Sequence, residues 1–282
     1  MIPYSLENDY LNKHCVLFVG SGISSRAVRN DGTKLPGWYD FVHELVEYGF
    51  VHNVIDNAEK LDLENMMNEH KLIEVAQLVI DELREAEFQK FLSEMFYEVK
   101  PNDAIYPLIC QMQFRALITT NFDTLLEDAF QMFSSHKIKS WTQQEVRENL
   151  AQIDEQFLLK LHGTYERQGT VVLGLQGYLK NIYENDMVVK IMETLLISNS
   201  FLFIGYGLND PDFNSLMDHI NVISKNNNRM HYLAIDKGKI SVLEKKYLKK
   251  HKNITVLEYD NVTGMHEGLM DILDELKKKK VP

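Results

Sequence analysis

The chain has 282 residues, 45% of them hydrophobic and 25% charged, a balance that supplies a substantial core and argues against an intrinsically disordered chain. Its 41 acidic and 30 basic residues leave a net charge of −11, which repels a phosphate backbone, so direct nucleic-acid binding is not expected. No run approaches the ~18 apolar residues of a membrane helix, and the N-terminal stretch carries Glu7 and Asp9 where a signal core would be apolar. The two cysteines, Cys15 and Cys110, cannot form a Cys-x-x-Cys pair, which argues against a disulfide framework or a thiolate metal site. The expectation is a soluble cytoplasmic protein with no membrane association.

The first apolar run, Cys15–Val19, leads directly into Gly20-Ser21-Gly22-Ile23-Ser24. Glycines after a strand let the backbone turn sharply and approach a diphosphate, and a following helix adds unpaired N–H groups. The same loop also reads as a plain strand-to-helix turn. The third position of a dinucleotide fingerprint is Ser25, and no acidic residue closes a second strand about 20 residues on, which counts against a dehydrogenase.

From residue 36 to 104 the sequence offers amphipathic runs, Trp38–Tyr48, Leu72–Leu83 and Phe88–Phe96, and no convincing strand. This stretch reads as a helical lobe inserted into an α/β domain that spans 1–282. The next strand, Ala116–Thr119, ends in Thr120-Asn121-Phe122-Asp123, ahead of a helix with Leu125, Leu126 and Ala129 inward. Asn121 fits a helix cap. It also carries a donor and an acceptor able to orient a water or a sugar hydroxyl, while Asp123 can accept the N–H of a carboxamide.

A third run, Phe157–Leu161, places His162 and Gly163 at its end, so the imidazole is expected at the mouth of the sheet. With an ordinary pKa of about 6.5 it suits general-base work, although a structural histidine fits the same position. Phe201–Ile204 leads into Gly205-Tyr206-Gly207-Leu208, followed by Asp210-Pro211 at the start of a helix carrying Phe213, Leu216, Met217, Ile220 and Ile223. His231–Ile235 closes on Asp236, which fits a ribose contact or a helix cap. Ile254–Tyr259 is the last strand run, and Met265–Lys280 the last helix. The lysines at 245, 246, 249, 250 and 252, and those at 277 to 280, read as solvated helix faces. His43-Glu44 and His266-Glu267 lack the second histidine of a metalloprotease signature.

Near-continuous apolar strands alternating with helices predict a Rossmann-like, doubly wound parallel sheet of about six strands, with ligand chemistry at the strand ends. Read in order, Gly20, Gly22 and Ser24, then Thr119, Asn121 and Asp123, then His162 and Gly163, and more loosely Gly205 and Gly207, resemble the sirtuin (Sir2) superfamily. The wording around them is similar to the zinc-less SIR2-like domains of bacterial antiphage defence proteins. That resemblance implies cleavage of the nicotinamide–ribose bond of NAD, with NAD as substrate and no metal.

On the same basis, Asn121 orients water and a ribose hydroxyl, and His162 accepts the water's proton or polarises the ribose. Asp123 holds the nicotinamide carboxamide, the Gly20–Ser24 loop with Ser21 and Thr119 anchors the diphosphate side, and Gly205, Gly207 and Asp236 serve the adenosine half. Sirtuin deacylases carry a four-cysteine zinc ribbon that this chain cannot build, so an acyl-lysine channel is not implied. A deacylase, an ADP-ribosyltransferase and a non-catalytic NAD or ADP-ribose sensor are the alternatives. The resemblance further implies NAD depletion during infection, a homo-oligomer, and control by a partner such as an ATPase or a nucleic-acid-guided protein, since no sensor region is evident beyond Asn261.

Overall fold

The continuous apolar runs become strands covered on both faces. The computed structural model describes residues 2–29, 31–173, 186–207 and 229–279. Its strands are β1 (Cys15–Val19), β2 (Leu117–Thr119), β3 (Lys139–Thr142), β4 (Phe157–Lys160), β5 (Ser200–Ile204), β6 (His231–Asp236) and β7 (Ile254–Tyr259). All five residues of β1 are buried, with Cys15, Leu17 and Val19 in one core and Val16 and Phe18 in the other. The alternation continues across the sheet, where Leu158, Leu202 and Tyr232 join the first core and Leu159, Phe203 and Leu233 the second.

Every pairing is parallel, in the order β3-β4-β2-β1-β5-β6-β7, a doubly wound Rossmann-like sheet. The chain leaves β1 towards β2 and returns to its other side at β5, so the order reverses at β1 and a ligand crevice is expected beyond the carboxyl ends there. The sheet has one strand more than the about six expected from sequence. β3 carries a single large apolar residue, Trp141, which stacks on Phe157 of β4 with ring centroids 4.5 Å apart. Lying at the edge, it needs no continuous apolar run.

The helices are α1 (Tyr4–Leu11), α2 (Ser21–Ser24), α3 (Trp38–Val51), α4 (Asn57–Asn68), α5 (Leu72–Glu82), α6 (Glu85–Phe96), α7 (Ile105–Cys110), α8 (Leu125–Phe133), α9 (Asp186–Ser198), α10 (Val242–His251) and α11 (Glu267–Lys277). α3 to α7 fill the interval between β1 and β2. Their inward residues, including Phe41, Leu45, Val75, Leu92 and Ile109, belong to the same core as Leu17 and Val19, so these helices are packed onto the sheet. α4 is mostly polar and buries only Leu63 and Met67; its start is fixed by a capping box between Asp56 and Glu59. The helix expected after Asp210 lies outside the described residues. Among the described residues, no helix is long and apolar enough to cross a membrane.

At the opposite end of the sheet from the crevice, His231 is fully buried, and its Nδ1 accepts the Phe201 N–H at 3.2 Å. Burial excludes the protonated ring and pushes its pKa down to about 4. The folded-state pKa lies below the unfolded one, so the contribution to stability is complete above about pH 6.5 and is lost as pH falls towards 4. The loss is expected to reach about 3 kcal/mol. Thermal melts of wild type and His231→Asn across that window check it: the wild-type Tm should fall more steeply, and parallel curves would contradict the assignment.

Candidate active site

The glycines after β1 and β5 are required by each other. The Gly20 N–H donates to the Ile204 carbonyl at 2.9 Å and the Gly22 N–H to the Gly205 carbonyl at 3.0 Å. A Cβ on Gly20 would stand 2.6 Å from the Gly205 oxygen, and one on Gly205, whose φ is +72°, 2.9 Å from the Gly20 oxygen. Both amides are thus spent on joining the two turns. Ser21 and Ser24 of α2 are the residues of this loop that line the adjacent cavity. Gly207 is different, because among the described residues a Cβ there meets nothing within 4 Å. Arg26 and Arg29, which follow the loop, pair with Asp103 and Glu44.

The turn after β2 is locked to the β1 turn. Thr119 Oγ1 donates to the Val19 carbonyl at 2.7 Å and accepts the Asn121 N–H at 3.0 Å. Asn121 Nδ2 donates to the Gly20 carbonyl at 3.1 Å and to Ser24 Oγ at 2.7 Å, and Ser24 Oγ donates in turn to Asp123 Oδ2 at 2.6 Å. With both amide hydrogens committed, Oδ1 is the acceptor that Asn121 offers a ligand. Asn121 does not cap α8, whose N-cap is Thr124; Asp123 Oδ1 accepts the Leu125 N–H at 3.1 Å in an Asx-type turn just ahead of the helix. Burial pushes the Asp123 carboxyl above its ordinary value, and the Lys160 charge, the Ser24 hydroxyl and the Leu125 N–H pull it back.

His162 and Gly163 follow β4. Gly163 has φ +74°, and the segment after it folds back so that Val172 N–H donates to the His162 carbonyl at 3.0 Å. A Cβ on Gly163 would lie 2.0 Å from the Thr170 oxygen. Gly163→Ala is therefore expected to cost about 2–4 kcal/mol through strain and overlap, against almost nothing for Gly207→Ala. Thermal unfolding of the two variants checks this, and equal Tm values would contradict it.

These elements enclose a cavity of about 90 Å³. Ser21, Ser24, Thr120, Asn121, Asp123 and His162 form its polar side, while Leu35, Trp38, Phe41, Ile73, Phe96 and Leu173 close it from the helical segment and the loop after β4. Trp38 stacks on Phe41, with centroids 5.8 Å apart. Asn121, Asp123, His162, Ser21 and Ser24 thus meet in one place. Thr119 and the glycines stand behind them as framework. Asp236 lies apart at the end of β6, where its carboxylate accepts from Asn261 Nδ2 at 3.0 Å.

Sequence reasoning missed Tyr206, whose hydroxyl is 2.8 Å from Thr120 Oγ1, and Lys160, buried beneath the β2 turn. A lysine inside an apolar strand run was the available signal. Cys15 and Cys110 are free and buried in β1 and α7; burial pushes the Cys110 thiol up to about 12 and Cys15 higher still.

A doubly wound parallel sheet with Asn, Asp and His side chains meeting at its switch point makes this a Rossmann-like α/β domain with a polar crevice at the strand ends. The family described as SIR2-like domain matches residues 115–257, and the chain belongs to that family. It is similar to Defense-associated sirtuin 2 of Bacillus subtilis, at 24% identity over 283 residues, covering 95% of this chain and 26% of that protein. NAD(+) hydrolase ThsA of Cytobacillus dafuensis is 25% identical over 215 residues, 76% of this chain and 42% of its own length. NAD(+) hydrolase ThsA of Bacillus cereus (strain MSX-D12) is 24% identical over 132 residues, 47% and 28% respectively. The matched regions thus cover well under half of each of these relatives.

Proposed function

We propose that the chain is an NAD+ glycohydrolase that breaks the nicotinamide–ribose bond and gives the ribose to water, as an effector of antiphage defence through NAD depletion. The observation that carries this reading is the meeting of Asn121, Asp123 and His162 on the polar side of one half-apolar cavity. The names of the relatives agree with it.

The bond from C1′ to the pyridinium nitrogen breaks with its electron pair going to nicotinamide, which leaves neutral and needs little acid assistance. Asp123, fixed by Ser24, accepts the carboxamide N–H, and the apolar side of the cavity takes the ring. Asn121 Oδ1 accepts a hydrogen from the attacking water or a ribose hydroxyl. The water oxygen bonds to C1′ and its proton passes to His162. The Gly20–Ser24 turn, with Thr119 behind it, lies on the diphosphate side, and Gly205, Gly207 and Asp236 on the adenosine side. The chain acts as one SIR2-like unit in which residues 36–104 cover the crevice, working in the cytoplasm as a homo-oligomer under the control of a partner.

The test is purified protein at micromolar concentration with NAD, nicotinamide and ADP-ribose being quantified by chromatography. Equal amounts of both are expected. Nicotinamide with ADP-ribose attached to protein or to an acyl group would make it a transferase or deacylase. Bound NAD recovered intact would make it a sensor.

A further inference from the structure

Lys160 is a buried charge that this chemistry leaves unused. It stands in β4 opposite Thr119 of β2 and Thr142 of β3, two residues before His162, and its side chain is only 1% exposed. Its Nζ pairs with Glu127 Oε1 of α8 at 3.0 Å and donates to the main-chain carbonyl of Asp123. Glu127 Oε1 also accepts from Ser140 Oγ of β3 at 3.0 Å. An aliphatic residue would fill the space in the strand without the cost of burying an ammonium, so core packing alone does not call for a lysine. The cation instead joins the strand that carries His162 to the turn that carries Asn121 and Asp123.

We propose that Lys160 is a positioning residue for NAD cleavage: its ammonium, held between Glu127 and the Asp123 carbonyl, fixes the Asn121–Asp123 turn and sets a positive charge beside the carboxyl that receives the nicotinamide carboxamide. This rests on the NAD-cleavage reading above. The groups that face Asp123 are Lys160 from β4, Glu127 from α8, the Ser24 hydroxyl from α2, and the phenols of Tyr106 from α7 and Tyr165 from the loop after β4, with His162 on the same cavity. Burial pushes both phenols above their ordinary value, which keeps them neutral. The balance on Asp123 is therefore set by burial and Glu127 against Lys160, the Ser24 hydroxyl and the Leu125 N–H, and of the side chains among these only Lys160 and Glu127 carry charge.

That balance gives opposite signs for two substitutions. In Lys160→Met the carboxylate loses its cation, and Asp123 takes up a proton at higher pH. In Glu127→Gln the opposing charge is gone while both hydrogen bonds to Oε1 can persist, and Asp123 takes up its proton at lower pH. The experiment is the pH profile of kcat/KM for NAD cleavage in a His162→Asn background, where the imidazole no longer titrates and the residual acid limb reads Asp123, with Tm recorded for each variant. The acid limb is expected to rise by about one pH unit or more in Lys160→Met and to fall in Glu127→Gln, and Lys160→Arg should restore much of the profile of the His162→Asn parent.

Loosened packing cannot move the limb in both directions. If Lys160→Met does not fold, Lys160→Met with Glu127→Gln removes both charges together, and its limb should still lie above that of the His162→Asn parent. Limbs that stay in place, or that move the same way in both single variants, overturn the proposal. A wild-type protein that leaves NAD intact overturns the cleavage reading itself, whereas cleavage with unmoved limbs rejects only the part given to Lys160.

Discussion

Replacement of His162 by alanine is expected to lower NAD turnover by about 10²–10⁴-fold, the range for loss of a positioned general base. The turn that holds the residue is built from main-chain contacts, the Val172 N–H on the His162 carbonyl and the αL conformation of Gly163, so truncating the side chain should leave the fold in place. KM should change little, because the imidazole acts on the attacking water more than on the bound dinucleotide. Steady-state kinetics beside a thermal melt separate these effects. Near-normal turnover in a folded His162→Ala protein would remove His162 from the mechanism.

Asn121 should be as sensitive for a different reason. Its Nδ2 hydrogens hold the Gly20 carbonyl and Ser24 Oγ, and the residue lines the cavity with Oδ1 as its acceptor. Asn121→Ala is expected to lower turnover by about 10²–10³-fold, comparable to losing one preorganised polar contact at a reacting centre. Asn121→Asp should lose as much activity and also stability, by about 3–5 kcal/mol, because a buried carboxylate would confront the Gly20 carbonyl with no hydrogen to donate. Turnover and Tm measured on both variants check the pair. An active Asn121→Asp enzyme with an unchanged Tm would mean that the Nδ2 contacts are not what holds this turn.

The sheet was legible because burial on both faces forces an apolar run, and β1, β2, β4 and β5 have one. β3 was hidden because an edge strand can be built from Lys139, Ser140, Trp141 and Thr142, with one aromatic stack holding it. α4 was hidden because only Leu63 and Met67 face inward. Within the site, the strand-end position of Asn121, Asp123 and His162 could be read from composition alone, but their connections could not. Whether Asn121 or Asp123 meets the first N–H of α8 depends on a hydrogen bond across the turn. Whether Gly20 presents its amide to a ligand depends on Ile204, whose carbonyl accepts that N–H and which lies 184 positions away in the sequence. The apolar half of the cavity was equally invisible, because Trp38, Ile73, Phe96 and Leu173 converge only through tertiary packing.

The most direct test of the account is a crystal structure of the His162→Ala protein with intact NAD, a variant expected to bind the dinucleotide and turn it over slowly. The account predicts the nicotinamide ring between Asp123 and the apolar wall of Trp38, Phe41 and Phe96, with the adjoining ribose within hydrogen-bonding reach of Asn121 Oδ1. NAD bound with its nicotinamide end outside this cavity would contradict it.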